Sequence, residues 1–254
     1  MGSLAYGERV AVITGAAGDI GMAIARGFVS LGTRVALTDI DIENLRVRAG
    51  AAGLSSDVAR SFACDLTDAD AIEKLVSDIK AEFGRIDILI NNAATTTRAS
   101  PVVTLSLEEW NQTFSANVTG AFLLCKHVIP IMGSGGGGTI VNIASQLAHV
   151  AVKGRTAYGA SKAALIALTR GLAIDHAGES IRAVSVSPGS IMTGRLTDRY
   201  GSADAVNAKL APLHPIGRIG TAEEVAAAVI FLAGAEASFI TGTDVLVDGG
   251  YTAV

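Results

Sequence analysis

A tyrosine and a lysine four residues apart, Tyr158 and Lys162, are the residues of this chain best suited to move a proton. On a helix this spacing puts both side chains on one face, about one turn apart. A phenol has a pKa of about 10, and a neighbouring ammonium is expected to stabilise the phenolate and lower that pKa. Tyr158 could then exchange a proton with a substrate oxygen near neutral pH. Ser145 follows an apolar run, so we expect it at a strand end, where its hydroxyl could bind the same oxygen.

A glycine-rich turn near the N-terminus gives that pair a functional context, because the spacing alone also fits an exposed pair on an ordinary helix. A β-branched run at 9–14 predicts a strand, and residues 19–31 predict a helix. Between them lie Gly15, Gly18 and Gly21. Glycines let a backbone approach a pyrophosphate, and the N–H groups at the start of the helix can bind it. Strand, glycine turn and helix together favour a nucleotide site over an ordinary tight turn.

An acid at the end of the next predicted strand fits the same site. The strand at 34–38 is followed by Asp39, eighteen residues past Gly21. An acid about 20 residues beyond such a turn holds the hydroxyls of an adenosine ribose. The same carboxylate repels a 2′-phosphate, so the sequence predicts NAD as cofactor rather than NADP. An exposed strand-end aspartate without a ligand is the alternative interpretation.

Composition limits the classes of protein to which the chain could belong. The chain has 254 residues, of which 50% are hydrophobic and 17% charged, with a net charge of −4. This length and hydrophobic content predict one domain over residues 1–254. The charge gives no electrostatic footprint for nucleic acid or membrane, and no uninterrupted apolar run reaches about 18 residues. Residues 1–7 lack signal-peptide features, so we expect a cytoplasmic protein. The isolated Cys64 and Cys125 and the four scattered histidines predict no metal site.

Strands and helices are predicted to alternate along the whole chain. The predicted strands lie near 9–14, 34–38, 60–64, 86–90, 139–144, 181–187 and 244–247. The predicted helices lie near 19–31, 42–51, 68–83, 106–132, 156–177 and 221–234. This alternation predicts a three-layer, doubly wound α/β Rossmann fold with a parallel sheet of about seven strands. Such sheets bind ligands beyond the carboxyl ends of their strands, where the candidate residues should gather.

Several motifs stand together in the order and spacing of one known family. They are Thr14-Gly15 with Gly21, Asn91-Asn92-Ala93-Ala94, Asn117, Ser145, Tyr158 with Lys162, and Pro188-Gly189. The chain thereby resembles the short-chain dehydrogenase/reductase family over essentially its whole length. The resemblance implies an NAD(P)-dependent oxidoreductase acting on an alcohol or its ketone.

The resemblance also implies roles for individual residues. Tyr158 corresponds to the general acid/base, and Lys162 to the residue that lowers its pKa and binds the nicotinamide ribose. Ser145 corresponds to the residue that polarises the substrate carbonyl, and Asn117 to one that anchors a relay water. The implied cofactor-binding residues are Gly15, Gly18, Asp19, Ile20, Gly21, Asp39, Ile40, Asp65, Leu66, Asn91, Ala93, Tyr158, Lys162, Pro188, Gly189, Ile191 and Thr193.

Asp19 departs from the family pattern, which usually has glycine or alanine at this position of the turn. A carboxylate that pointed inward would repel the pyrophosphate. A carboxylate that pointed outward could cap the following helix, since aspartate is a favoured N-cap residue.

The substrate is specified less sharply than the cofactor. Ser145, Gln146, His149 and Tyr158 are the predicted substrate-binding residues, and residues about 190–220 are predicted to form a lid. The residues in segments that should face the reacting carbon are polar on balance and favour a sugar or polyol. They are Thr96, Arg98, Gln146, His149, Arg155, Met192 and Arg195. Two alternatives remain open: an NADPH-dependent 3-oxoacyl-[acyl-carrier-protein] reductase, or a non-catalytic dinucleotide-binding regulator.

The long predicted helices suggest self-association. The helix at 156–177 is apolar around much of its circumference, and such a helix usually buries more than one face. A second copy of the same helix is the expected partner. The family resemblance implies a homotetramer, favoured over a dimer, that also uses the C-terminal strand near Leu246.

Overall fold

Seven parallel strands form one sheet in the computed structural model, which describes residues 6–254. The strands are β1 (Val10–Thr14), β2 (Arg34–Asp39), β3 (Ala59–Ala63), β4 (Ile88–Asn91), β5 (Gly138–Ile143), β6 (Ile181–Pro188) and β7 (Asp244–Val247). Their order across the sheet is β3-β2-β1-β4-β5-β6-β7. The order reverses between β1 and β4, which is where such sheets bind ligands. The predicted doubly wound fold is confirmed, with every strand within two residues of its expected bounds.

Nine helices are found within residues 6–254. They are α1 (Asp19–Ser30), α2 (Ile42–Ala51), α3 (Ala69–Phe83), α4 (Leu107–Phe114), α5 (Gly120–Ser134), α6 (Thr156–Asp175), α7 (Gly194–Tyr200), α8 (Ala203–Leu210) and α9 (Ala222–Ala233). One apolar cluster packs α1 and α9 on one face of the sheet, and a second packs α3, α5 and α6 on the other. The core therefore has two halves separated by the sheet, as a three-layer architecture requires.

The segment predicted as one helix at 106–132 has an interruption. α4 and α5 are joined by a π-helical turn, Ser115–Thr119, which carries Asn117. Single π-helical turns inside helices frequently occur at functional sites. The combined segment Leu107–Ser134 is long enough to cross a membrane, and an 18-residue window within it has a mean hydropathy of 1.3, although the sequence contains no uninterrupted apolar run of that length. Its buried residues Leu124, Val128 and Met132 pack into the second core cluster, so it is a core helix here.

Residues 190–220 contain helices that the sequence did not predict. α7 and α8 lie there, and Ile191 pairs with Gly220 to close the base of the segment. The glycines and prolines in this segment led to its interpretation as a loop, because both residue types usually mark turns and loops. Residues 1–5, part of the N-terminal stretch in which signal-peptide features were sought, lie outside the described residues.

Candidate active site

A cavity of about 1330 Å³ opens beyond the carboxyl ends of the strands. Gly15 follows β1, Asp39 ends β2, and Ser145 comes two residues after β5. Pro188, at the end of β6, completes this edge, and Tyr158 reaches the cavity from α6. The sheet thus brings together in one wall residues that are far apart in the sequence.

The glycine turn is packed too closely for side chains at two positions. Gly15 has φ +61°, and a Cβ there would lie 2.7 Å from the Cα of Ala93. A Cβ on Gly21 would lie 2.5 Å from the carbonyl oxygen of Gly15. No side chain caps α1, whose N-cap is Gly18, so the first N–H groups of that helix are open to an anion. The turn therefore fits the pyrophosphate of a dinucleotide.

Asp39 is fixed against this turn. Its Oδ2 accepts a hydrogen bond from the backbone N–H of Ala17 at 3.0 Å, and its Oδ1 accepts one from Asp41 at 3.3 Å. Asp65 also lines the cavity, and its Oδ1 accepts hydrogen bonds from the backbone N–H and the hydroxyl of Thr67. Two oriented carboxylates in this part of the wall fit the hydroxyl and amino donors of an adenosine.

Tyr158 and Ser145 both line the other part of the cavity. Ser145 Oγ accepts a hydrogen bond from the N–H of Leu147 at 3.2 Å. Burial raises the pKa of Tyr158, while the neighbouring Ser145 hydroxyl and the charge of Arg195 act in the opposite direction. The phenol is therefore protonated at neutral pH and can donate its proton to an oxygen in the cavity.

Lys162 does not act on Tyr158 as the sequence predicted. Its side chain is 1% exposed, and Nζ donates a 2.6 Å hydrogen bond to the carbonyl oxygen of Ile143. Burial, followed by the charge of Arg195, lowers the pKa of Lys162 to about 7. An amine that is only partly protonated near pH 7 is a weak source of positive charge. The pKa of Tyr158 is raised rather than lowered, and Lys162 is not among the groups that shift it, although Nζ lies 5.8 Å from the ring centroid.

Asn117 lies behind the cavity wall rather than in it. Its Oδ1 accepts from the backbone N–H of Thr95 at 2.8 Å, and its Nδ2 donates to the carbonyl oxygen of Thr95 and to the hydroxyl of Ser161. Ser161 in turn donates to the carbonyl oxygen of Tyr158 at 2.8 Å. The side chain of Asn117 thus ties the cavity loop at Thr95 to the helix that carries Tyr158.

Asp19 does not cap α1, because Gly18 occupies the N-cap position. Instead, its Oδ1 accepts a 2.5 Å hydrogen bond from Nη2 of Arg48 on α2, and its Oδ2 accepts one from the N–H of Gly194 at 2.7 Å. Burial opposes ionisation, but these hydrogen bonds outweigh it and lower the pKa of the Asp19 carboxyl. The negative charge of Asp19, which was expected to repel a pyrophosphate in the turn, is thus paired with the guanidinium of Arg48.

Three residues proposed from the sequence lie elsewhere. Asn91 faces the core, where Nδ2 donates to Oδ1 of Asn142 at 2.8 Å. His149 contacts Oδ2 of Asp244 at 2.7 Å and is absent from the cavity wall, so it is not placed to bind substrate. Met192 is absent from the wall as well. Sequence position alone does not show which side chains at this edge of the sheet line the cavity.

The remaining proposed residues line the cavity: Gly15, Gly18, Asp19, Ile20, Gly21, Asp39, Ile40, Asp65, Leu66, Ala93, Ser145, Gln146, Tyr158, Lys162, Pro188, Gly189, Ile191 and Thr193. Two lining residues had been given no role in the site. Asn92 donates from Nδ2 to the carbonyl oxygen of Thr14, and Arg48 pairs with Asp19. Arg195, which was expected to face the reacting carbon, also lines the cavity and influences the pKa of Tyr158. The second asparagine of the Asn91-Asn92 pair was a usable signal, because it stands one residue beyond the strand.

A dinucleotide cradle and a proton-transfer pair in one cavity define an oxidoreductase that uses a nicotinamide cofactor. The family model described as Enoyl-(Acyl carrier protein) reductase matches residues 15–252. The chain belongs to the short-chain dehydrogenase/reductase family.

Known proteins with similar sequences and structures extend over nearly the whole chain. D-threitol dehydrogenase of Mycolicibacterium smegmatis is 40% identical over 96% of this chain and 93% of that protein. NAD-dependent glycerol dehydrogenase of Listeria innocua is 38% identical over 96% of this chain and 94% of that protein. The crystal structure of levodione reductase superposes with a TM-score of 0.91 at 30% identity, covering 97% of this chain and 98% of that one.

Proposed function

We propose that this protein is an NAD-dependent dehydrogenase that interconverts a secondary alcohol, of sugar or polyol type, and its ketone. One observation carries the proposal: Ser145 and Tyr158 line the same cavity as the glycine turn and Asp39. This reaction needs a group that exchanges a proton with the substrate oxygen and a site for a dinucleotide. Residues suited to each of these roles line the one cavity. A non-catalytic regulator would not need the proton-transfer pair.

The side chains divide the work on the substrate oxygen. The nicotinamide, when bound, accepts hydride from the alcohol carbon or returns it to the ketone carbon. Ser145 donates a hydrogen bond that orients the substrate oxygen. Tyr158 accepts the hydroxyl proton during oxidation and donates it to the ketone oxygen during reduction. Because burial keeps the phenol protonated at neutral pH, the reduction direction has its acid in place, and oxidation gains from higher pH.

The NAD preference is supported by Asp39. Its carboxylate is held on the turn by Ala17 and Asp41 and lines the cavity. A ribose with two free hydroxyls can donate to this carboxylate, whereas a 2′-phosphate would be repelled by it. The relative from Listeria innocua is named as NAD-dependent, which agrees with this assignment.

A polyol substrate is supported by the polar wall beside the catalytic pair. Gln146, Thr96 and Arg155 line the cavity there, and Arg155 is held by a 2.9 Å hydrogen bond to the carbonyl oxygen of Thr97. Such side chains bind hydroxyl groups along a substrate better than a long acyl chain. Two relatives carry the names of a threitol and a glycerol dehydrogenase.

Reduction of a 3-oxoacyl group carried on acyl carrier protein is the second candidate. The description of the matching family model, which names an acyl-carrier-protein substrate, favours it. It would require NADPH, so the charge of Asp39 argues against it.

The chain's organisation completes the proposal. Residues 1–254 form one cytoplasmic domain in which residues about 190–220 act as a substrate lid. The face of α6 that the rest of the chain leaves exposed carries Ala163, Ala167, Arg170, Gly171 and Ile174. The small and apolar side chains around Arg170 suit close packing against a second copy, and Leu246 on β7 is 43% exposed at the sheet edge. A homotetramer would bury both surfaces.

A substrate panel tests the proposal. Sugars, polyols, hydroxy acids and simple secondary alcohols are incubated with NAD or NADP, and reduced cofactor is followed by absorbance. We expect turnover with a polyol and NAD. Turnover with a 3-oxoacyl thioester and NADPH would favour the second candidate. Binding of NADH without turnover of any alcohol would favour a regulator.

A further inference from the structure

We propose that Asp19 is a specificity-determining residue, which excludes NADP by holding the Arg48 guanidinium in an ion pair. The inference rests on the proposed dinucleotide site and goes beyond Asp39, since it concerns a cation that is present in the cavity wall but already engaged. In this account, the preference for NAD has two sources: a carboxylate that repels a 2′-phosphate, and an arginine that is kept from binding one.

The contact between the two residues is close and partly shielded. Nη2 of Arg48 lies 2.5 Å from Oδ1 of Asp19, with 37% and 28% of the two side chains exposed. The second carboxylate oxygen accepts a 2.7 Å hydrogen bond from the N–H of Gly194. With both oxygens held, the carboxylate cannot rotate away from Arg48 without losing a hydrogen bond.

Arg48 is in the right part of the cavity to meet a 2′-phosphate. Both Arg48 and Asp39 line the cavity, and both are attached to the same glycine turn. Asp39 binds the N–H of Ala17, and Arg48 binds the side chain of Asp19, two residues further along. The guanidinium and the carboxylate that we assign to the adenosine ribose are therefore anchored two residues apart on one turn, in the wall of one cavity.

The charges explain why the pairing matters. A free arginine near the ribose is the usual means of accommodating a 2′-phosphate, through bidentate hydrogen bonds. Here Arg48 has a carboxylate partner of its own, so a phosphate would have to compete with Asp19 for it. Removing the Asp19 carboxylate would leave the guanidinium of Arg48 without that partner, in the wall of the cavity. The Gly194 N–H is itself a donor to Asp19, so it cannot take the place of the carboxylate.

Fragments that carry only the adenosine end of the cofactor measure how the Asp19–Arg48 pair affects recognition of the 2′-phosphate. Their binding depends neither on catalysis nor on the substrate lid. Adenosine 2′,5′-bisphosphate and adenosine 5′-monophosphate are titrated by calorimetry, and NADPH and NADH by fluorescence. The variants are Asp19→Ala, Asp19→Asn, Arg48→Gln and the double variant Asp19→Ala with Arg48→Gln. Asp19→Asn is the matched control, because its amide oxygen can still accept from Gly194 while the charge is lost.

The ratio of the two affinities is the readout. We expect Asp19→Ala to shift it toward the 2′-phosphorylated ligand by about tenfold or more, the scale of one charge-assisted hydrogen bond. Asp19→Asn should give a smaller shift in the same direction. Arg48→Gln alone should change the ratio by less than about threefold, because Arg48 is already engaged. In the double variant the affinity ratio should return to about the wild-type value, because the guanidinium that would bind the 2′-phosphate is gone.

Two results would overturn this proposal without contradicting the proposed function. In the first, the protein binds NADH, but Asp19→Ala does not change the ratio of the affinities for the 2′-phosphorylated and unphosphorylated ligands. The other is a gain that persists in the double variant, because that would show a through-space effect of deleting a negative charge without any role for Arg48. If the wild-type protein binds neither dinucleotide, both the proposed function and this inference are wrong.

Discussion

Lys162 holds the catalytic helix to the strand beneath it, since its Nζ donates a 2.6 Å hydrogen bond to the carbonyl oxygen of Ile143. Ile143 is the last residue of β5, two positions before Ser145. One buried amine therefore fixes the spacing between the element that carries Ser145 and the one that carries Tyr158. Its main effect within the protein is positional, and the ammonium charge contributes less than the sequence suggested.

Burial of Lys162 predicts a pH dependence of stability. The pKa is lowered to about 7 in the folded protein, against about 10.4 in the unfolded chain. Between these values the unfolded chain binds a proton that the folded protein does not, so the free energy of unfolding rises with pH. The slope approaches about 1.4 kcal/mol per pH unit. Denaturant titrations at pH 7.5, 8.0 and 8.5 measure it.

Lys162→Met is the matched control, because it keeps the length of the side chain and removes the titrating group. Burial raises the pKa of Cys64 to about 11 and of Cys125 to about 12, and these thiols oppose the rise at higher pH. Both proteins contain the thiols, so the difference in slope isolates Lys162. Equal slopes would show that Lys162 is not neutralised by burial.

Asp39 and Ile40 predict how cofactor preference can be changed. Asp39→Ala should narrow the preference for NADH over NADPH by removing the repulsive charge, and should also weaken NADH by freeing the N–H of Ala17. Ile40 is 69% exposed and lines the cavity, so adding Ile40→Arg should move the preference further toward NADPH without disturbing the core. Fluorescence titrations of both cofactors measure the ratio. A ratio that stays fixed in both variants would assign the preference to other residues.

His149 predicts an effect on stability rather than on substrate binding. It contacts Asp244, whose other oxygen accepts from Ser185 at 2.6 Å and from Ser187 at 3.0 Å. His149→Ala should lower the free energy of unfolding by about 1–2 kcal/mol, the scale of one hydrogen bond to a charged group, and leave KM unchanged. Gln146→Ala is the counterpart, and it should raise KM with little loss of stability. A KM effect confined to His149→Ala would restore the sequence-based assignment.

The exposed face of α6 predicts a homotetramer. Light scattering at micromolar concentration should give the mass of four chains rather than that of the 25.8 kDa monomer. Ala167→Glu places a charge in this face and should lower the mass, whereas Ser77→Glu on the exposed face of α3 should not. A monomeric wild-type protein would refute the association.

The sequence predicted the strands because β1, β2, β4, β5 and β6 are short apolar runs, largely buried on both faces, between clear turns. The edge strands β3 and β7 are only partly buried. The sequence also predicted that Tyr158 and Lys162 lie near each other on one helix, because a four-residue spacing fixes a shared helix face whatever the tertiary structure. It did not predict the partner of Asp19, which lies 29 residues away on another helix. Such a contact depends on how α1 and α2 pack, and no local pattern records it.

Side-chain direction at strand ends was the other source of error. Asn91 and Asn92 are adjacent, yet one binds Asn142 in the core and the other lines the cavity. Successive side chains of a strand point to opposite faces, so an uncertainty of one residue in where β4 ends reverses the assignment. The direction of the Tyr158 pKa shift was also mispredicted. The sequence shows the amine four residues away but not the burial of both groups, and burial is the largest cause of each shift.

The turnover of Tyr158→Phe tests the central claim most directly. The variant keeps the ring that packs near Lys162 and removes only the hydroxyl that donates the proton. With the alcohol found active in the panel, we expect kcat to fall by about 10²–10⁴-fold while the affinity for NADH, measured by fluorescence, stays within about twofold. Near-normal turnover in this variant would contradict the assignment of Tyr158 as the general acid and base.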